Sequence, residues 1–361
     1  MKKKIGIFTQ YHMQPPHPRI FMEADILKNA GYDVEIIHSE KKKLRGLRYF
    51  LTFTFFNWKL ISQYKKRLAP FDIVIIYDLA LLPLCAFAKQ KNIKVVYETI
   101  DHNVKYSFYE LQKRFFPFLL LKPFLVPLFE SIEKQMIRKY VSDVIVNSRS
   151  LKDSFAATGV NVFINYYASP FEDISFSAEQ QRPFALLFIG RVAYEKGARL
   201  MLAFARATGH KLILIGDIDN VSLQARLKKA DHLHYGKMDI GSLKKRIIDL
   251  ATEYRLLGLS MVTDDNESSA MQELNKEIDY LAAGIPLIGN HRPLTAEKIN
   301  AGCGVFYDQV DCKKMNELHH RYTKMSIAAK KYYASMYAKT RFQQVLLEVF
   351  GIVNIKNSMI L

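Results

Sequence analysis

The sequence predicts an α/β protein built from two doubly wound parallel units. Three observations lead there. Short apolar runs recur along the chain, KIGIFT at Lys4–Thr9, IVIIY at Ile73–Tyr77, FALLFI at Phe184–Ile189 and KLILIG at Lys211–Gly216. Such near-continuous runs belong to strands buried on both faces. Segments of helical length and amphipathic spacing separate them. The series breaks once, at Tyr166–Pro183, a stretch poor in helix formers that holds Pro170 and Pro183, and then starts again. A chain of 361 residues, 49% apolar, is long enough for two cores of ordinary size.

Taken in order, Lys4–Thr9 is the first strand. His17–Gly31 follows as an amphipathic helix with Ile20, Ala24 and Leu27 on one face and Gly31 as its stop. Asp33–His38, Ile73–Tyr77 and Lys94–Tyr97 are the next strands. A helix at Glu130–Tyr140 enters the strand Asp143–Asn147, Ser148 caps a helix reaching Phe155, and Val162–Asn165 closes the first unit. The second unit opens with Phe184–Ile189, the helix Ala198–Thr208 and Lys211–Gly216. Leu233–Gly236, Arg255–Met261 and Gly304–Tyr307 supply later strands. Between the last two, Asn275–Ala283 reads as a helix stopped by Gly284, and Pro286 opens a short buried strand, PLIG. Residues 313–361 read as helical. The expected domains are 1–168 and 183–335, with a final helical segment at 336–361.

The three cysteines, Cys85, Cys303 and Cys312, have neither paired nor metal-ligand spacing and point to a reduced, cytoplasmic compartment. Met1–Lys4 does not open a signal peptide, because the apolar run after it is too short. The longest apolar stretch, Phe115–Phe129, contains three prolines and Lys122 and falls short of the ~20 residues a spanning helix needs. The net charge of +17 calls for an anionic neighbourhood and is concentrated: Lys41–Leu68 holds nine Lys/Arg and no acidic residue. Lys41, Lys42, Lys43, Arg45, Arg48, Lys65, Lys66 and Arg67 flank an aromatic run that includes Trp58. That combination suits an interfacial membrane segment on an anionic leaflet, or a solvated basic helix packing its aromatics into the first unit. No motif supports nucleic acid as a partner.

Two segments carry the chemistry. In FIGRVAYEKG, Phe188–Gly197, a buried strand ending at Gly190 is followed at once by Arg191, then by Lys196 and a helix start near Gly197. Two cations and a helix N-terminus above the carboxyl end of a strand form a receptor for a diphosphate. About ninety residues on, Asn275–Asn290 reads NKEIDYLAAGIPLIGN. Together the segments resemble the donor half of bacterial GT-B glycosyltransferases of the group-1, family-4-like type. ESIEKQMIRKYVSDVIVNS and the opening β–loop–α–β are similar to that family's N-terminal pattern.

The resemblance implies two Rossmann-like domains facing across a cleft, with the final helix crossing back to the N-terminal domain. It implies a metal-independent transferase, of the retaining kind, that moves a sugar from a nucleoside-diphosphate-sugar to a hydroxyl acceptor. No cofactor is expected beyond that co-substrate. Gly190, Arg191 and Lys196 would hold the diphosphate, and Asp279 the ribose hydroxyls. Met271 stands where many retaining members carry a second glutamate, so Glu273, Asn275 and Lys276 are candidates for the donor loop. The family's histidine–aspartate pair falls near VVYETIDHN, where Asp101 or His102 would face the sugar, or Asp101 would cap a turn. His12 and His17 are weaker loop candidates. Asp264, Asp265 and Glu267 read as a loop rather than a metal site. With the basic segment, the family reading implies a lipid-linked or saccharide acceptor of cell-surface polysaccharide synthesis, made at the inner face of the membrane. A GT-B-fold epimerase and a non-catalytic partner protein are the alternatives.

Overall fold

Strands that are apolar on both faces need helices above and below them, and both halves of the chain meet that need with parallel sheets. The computed structural model describes residues 2–10, 18–39, 56–112, 117–174, 176, 182–218, 221–227, 231–262 and 272–352. The chain divides into two compact units, Met1–Tyr166 with Thr340–Leu361, and Tyr167–Lys339.

The first unit runs β1 (Lys4–Phe8), α1 (Pro18–Asn29), β2 (Asp33–Ile37), α2 (Trp58–Lys65), β3 (Ile73–Tyr77), α3 (Leu84–Gln90) and β4 (Lys94–Thr99). It continues with α4 (Asn103–Gln112), α5 (Pro117–Tyr140), β5 (Asp143–Val146), α6 (Arg149–Ala156) and β6 (Asn161–Ile164). Its strands pair in the order β2-β1-β3-β4-β5-β6, all parallel. Every residue of β3 is buried, as the apolar run predicts. Ser148 caps α6 by accepting from the Leu151 amide at 3.3 Å.

The second unit runs β7 (Phe184–Ile189), α7 (Ala198–Thr208), β8 (Lys211–Ile215), α8 (Val221–Leu227), β9 (His232–Tyr235), α9 (Ile240–Glu253) and β10 (Arg255–Ser260). Then come α10 (Asn275–Ala283), β11 (Leu287–Gly289), α11 (Pro293–Lys298), β12 (Gly304–Phe306) and α12 (Cys312–Met336). The sheet order is β12-β11-β10-β7-β8-β9, again all parallel. Numbered within the unit, this is the dinucleotide-fold order 3-2-1-4-5-6.

The last helix, α13 (Lys339–Val349), packs on the first unit. Phe342, Leu346 and Val349 are buried, the Arg19 guanidinium lies 5.2 Å from the Phe342 ring centroid, and Lys94 Nζ donates to Val349 O at 2.8 Å.

Two expectations need correction. The helix expected at Glu130–Tyr140 starts at Pro117 and carries Pro123 and Pro127 inside it. Each interior proline removes one ladder hydrogen bond, ~3 kcal/mol or more against a helix, so local propensity gives little sign of its first half. The segment taken as a linker also belongs in part to the second unit. Phe171 and Ile174 are buried, and the Ser169 amide donates to Tyr333 Oη at 3.1 Å.

Candidate functional site

In the second sheet the chain winds outward from β7 in both directions, so β7 and β10 flank the topological switch point. Doubly wound sheets bind their ligands outside the carboxyl ends of the strands at that place. The segment leaving β7 is held there by its backbone. Gly190 N donates to Ile215 O at 2.9 Å and Val192 N to Asp217 O at 2.8 Å. A 3₁₀ turn, Tyr194–Lys196, then delivers the chain to Gly197, which has φ 85° and caps α7. A Cβ at Gly197 would stand 1.7 Å from Met261 O, so only glycine lets this turn lie against the backbone that leaves β10.

The cations of the turn are not equivalent. Arg191 is half exposed and its Nη2 donates to Glu195 Oε1 at 2.7 Å, a partner that the sequence reading had not given it. Lys196 is half-buried. Lys276, in the first turn of α10, reaches the same region: its ammonium lies 4.4 Å from the Phe188 ring centroid, out of contact with solvent and, among the described residues, without a hydrogen-bond acceptor. Burial, and then the charge of Lys196, draw its pKa down to about 7. Asn275 is exposed at the start of α10.

Glu273 is differently employed from the donor-loop role expected of it. Its carboxylate accepts from Lys298 Nζ at 2.7 Å, with both side chains buried. Lys298 also pairs with Glu277 at 2.9 Å, and Arg292 lies 3.6 Å from the same carboxylate. Ser260 and Thr295 hydroxyls donate to Glu277 Oε1 at 2.5 and 2.6 Å. Burial pushes the Glu277 carboxyl up, but the two cations and two hydroxyls outweigh it and hold it at about 2. Glu277 thus ties the ends of β10 and α11 to α10, and sequence reasoning missed it. The available signal was a charged residue beside Ile278 and one turn from Leu281, on the helix's apolar face.

The other anchor of α10 is Tyr280. Its hydroxyl accepts from Ile189 N at 2.9 Å and donates to Leu187 O at 3.1 Å, and its ring fills the space above Gly258. One turn before it stands Lys276, and next to it Asp279. Asp279 accepts from Ser169 Oγ at 2.7 Å and from the Tyr167 hydroxyl. Burial raises its carboxyl to about 7 against those two hydrogen bonds.

In the first unit, Asp101 and His102 follow β4 in a tight turn. The Thr99 hydroxyl donates to Asp101 O at 2.9 Å, and Asn103 N to the same oxygen at 2.8 Å. The His102 ring is buried, its Nε2 lies 3.1 Å from Ser150 Oγ, and burial together with Lys105 and Lys134 lowers its pKa to about 4. It is a neutral imidazole near pH 7. A second buried network sits beside it in sequence. Arg19 Nε donates to Glu98 Oε1 at 2.5 Å and lies 3.2 Å from Glu23 Oε1, while Tyr77 donates to Glu23.

Of the membrane candidates, Lys41, Lys42, Lys43, Arg45 and Arg48 lie outside the described residues, as do His12, His17, Asp264, Asp265, Glu267 and Met271. In α2 the apolar face is spent inside the domain: Leu60, Ile61 and Tyr64 are buried. Arg67 is paired with Glu35 at 2.5 Å, and Lys65 lies over the Phe87 ring at 4.2 Å. Those two charges are therefore partly committed, whereas Lys66 is exposed and Trp58 is 61% exposed. The larger apolar surface is on α5, where Leu120, Leu121, Phe124 and Leu128 are 68%, 47%, 75% and 53% exposed.

Among known protein families the sequence matches none, and it matches no curated protein. Solved structures are similar to it over nearly its whole length. Anabaena HepE, crystallised with UDP-glucose, superposes with a TM-score of 0.63 at 13% identity, covering 97% of this chain and 100% of HepE. AviGT4, a glycosyltransferase involved in avilamycin A biosynthesis, gives 0.57 at 14% identity and 97% coverage of both chains. The UDP-forming trehalose-phosphate synthase of Burkholderia xenovorans gives 0.56 at 12% identity, covering 97% of this chain and 98% of the synthase. The fold is GT-B. In this GT-B chain the Gly190–Gly197 turn, Lys276 and Asp279 all belong to the second Rossmann-like unit.

Proposed function

We propose that the protein is a glycosyltransferase that moves a sugar from a nucleoside-diphosphate-sugar to a hydroxyl acceptor. One observation carries this reading: Arg191, Lys196 and Lys276 gather around a glycine-capped helix start at the switch point, with the Asp279 carboxylate on the same α10. Negative charge collects on the departing diphosphate as the glycosidic bond breaks. Fixed cations and oriented backbone N–H groups meet that charge without reorganising. Since side chains supply the neutralising charge, the reading needs no metal. The nucleotide-sugars bound by structural neighbours support it, HepE having been crystallised with UDP-glucose.

The acceptor in this reading is lipid-linked, an intermediate of cell-surface polysaccharide synthesis presented at an anionic membrane. The exposed Leu120, Leu121, Phe124 and Leu128 supply apolar area for the interface, and residues 1–166 carry 26 Lys/Arg against 14 Asp/Glu. Among the described residues no helix is long and apolar enough to cross a membrane, so attachment would be peripheral.

A thermal-shift screen against UDP-, GDP-, dTDP- and ADP-sugars tests the donor. A ligand at a hundred times its dissociation constant stabilises the fold by ~2.7 kcal/mol. Absence of a shift with every nucleotide-sugar would remove the proposal's basis.

A further inference from the structure

Among the described residues Lys276 has no hydrogen-bond partner. Its ammonium is shielded from water, makes no hydrogen bond among the described residues and lies 4.4 Å from the ring centroid of Phe188, the penultimate residue of β7. Leaving an ammonium buried and unbonded is unfavourable by several kcal/mol, and proteins normally avoid it. The nearest carboxylate in sequence, Glu277, is ion-paired with Lys298 and Arg292 and accepts hydrogen bonds from Ser260 and Thr295. The groups whose charges bear on Lys276 are Lys196 from the turn after β7, Glu277 from its own helix and Arg292 at the start of α11. Two of the three are cations.

The position is not accidental slack in the packing. Tyr280, one turn further along α10, is bonded to both Ile189 N and Leu187 O, which fixes the helix against the end of β7. The close contact of Gly197 with Met261 fixes the turn that carries Lys196. Resting on the proposal that a nucleotide-sugar binds at this turn, we propose that Lys276 is a further phosphate-contacting residue of the donor site. Its ammonium is paired by the donor's diphosphate rather than by any carboxylate among the described residues, and donor binding draws one proton from solvent onto it.

The direction of the proton follows from the empty site, where burial and Lys196 hold the pKa at about 7. Adjacent phosphates favour the charged form and raise it. The proton is therefore taken up on binding. Affinity for the diphosphate is fully developed below about pH 7 and falls as pH rises from there, by at most about tenfold per pH unit for a single proton.

The experiment is isothermal titration calorimetry on the full chain with UDP, GDP, ADP and dTDP, in buffers of different ionisation enthalpy, for wild type, Lys276→Met and Lys276→Arg. The wild-type titration should show net proton uptake above about pH 7, where Asp279 is already largely ionised and releases little, and the Asp279 contribution is common to all three proteins. In Lys276→Met, binding of the best nucleoside diphosphate should weaken at least about tenfold, the free nucleoside should be unaffected, and the unliganded melting temperature should hold or rise, since an unpaired buried charge is gone. Lys276→Arg should keep affinity within a few-fold, lose the proton uptake and flatten the pH dependence, because guanidinium stays charged throughout. The terminal phosphate of the probe, with a pKa near ~6, titrates alike in all three proteins and cancels. If Lys276→Met binds like wild type, Lys276 does not touch phosphate; if wild type and Lys276→Arg take up the same protons, Lys276 is already charged before binding and the proton-uptake part of the proposal is overturned. If no nucleoside diphosphate binds wild type, the donor-site reading itself fails.

Discussion

Arg191 carries a counter-charge of its own, since Glu195 at the next turn accepts from its guanidinium. Diphosphate would have to take over that hydrogen bond, and Lys196 reaches the same turn from a backbone held against Met261. Interactions that strengthen as charge develops lower the turnover number more than they raise the Michaelis constant. Arg191→Ala and Lys196→Ala should therefore each cut turnover by ~100-fold or more, as loss of one preorganised charge-stabilising donor does. Normal turnover in both variants would move the diphosphate elsewhere. Asp279 makes a separate prediction through its pH dependence. Its carboxyl stays largely protonated below about 7 in the free protein, and ribose hydroxyls donate best to the ionised form. Nucleoside affinity should rise as pH climbs through about 7, opposite in sign to the Lys276 effect, and be weaker and flat in Asp279→Asn. Its effect on stability runs against its effect on binding. A carboxyl raised from 3.8 to about 7 favours the fold below the lower value, and that advantage is lost as pH rises to the upper one. Competition binding of the nucleoside at pH 5.5, 7 and 8.5 separates these outcomes.

At the scale of elements, α10 is the piece on which the site depends. Tyr280 clamps it to β7, and Glu277 bolts it to Ser260 beyond and to Thr295, Arg292 and Lys298 of the next helix. Removing one partner from a buried ion cluster strands the others and destabilises by ~3–5 kcal/mol. Glu277→Gln should lower the thermal midpoint markedly without touching substrate. Nucleotide binding measured well below that midpoint should change little, while equal stability would mean that the cluster is already satisfied without its charge. Helix α5 is the other element with a consequence. Serine at Leu120, Phe124 and Leu128 removes most of its exposed apolar face. Co-sedimentation with anionic vesicles should then drop several-fold, with the wild-type binding weakened by salt. Undiminished binding would place the contact elsewhere, the Lys41–Arg48 cluster being the next segment to test.

For the whole molecule, the strands were the legible part. IVIIY, FALLFI and KLILIG are buried on both faces and could be nothing else at that length. The helix Ala198–Thr208 and the helix Asn275–Ala283 begin and end where the glycines and the spacing put them. Other features were hidden because their causes are tertiary. Pro123 and Pro127 disguised the first half of a long helix that survives on its neighbours rather than on its own propensity. Glu277 occupies a variable position of its motif, and only the fold brings Lys298 and Arg292 to it. Nothing in the FIGRVAYEKG spacing marks Glu195 as the partner of Arg191. The aromatics of the basic segment divide in a way that no pattern shows: Tyr64 turns inward, its hydroxyl on Thr9 O, and Trp58 turns out.

The placement of α13 has a consequence in time. Phe342, Leu346 and Val349 complete the core of the unit whose strands are made first, and Phe342 covers the buried Arg19. At ~5–20 residues per second, a ribosome needs roughly ten to thirty-five seconds to make the second unit before α13 appears. Throughout that interval the first sheet waits with an open seam. The first unit is closed only by a helix made after the second, and a nascent chain is most in need of a chaperone over that first unit.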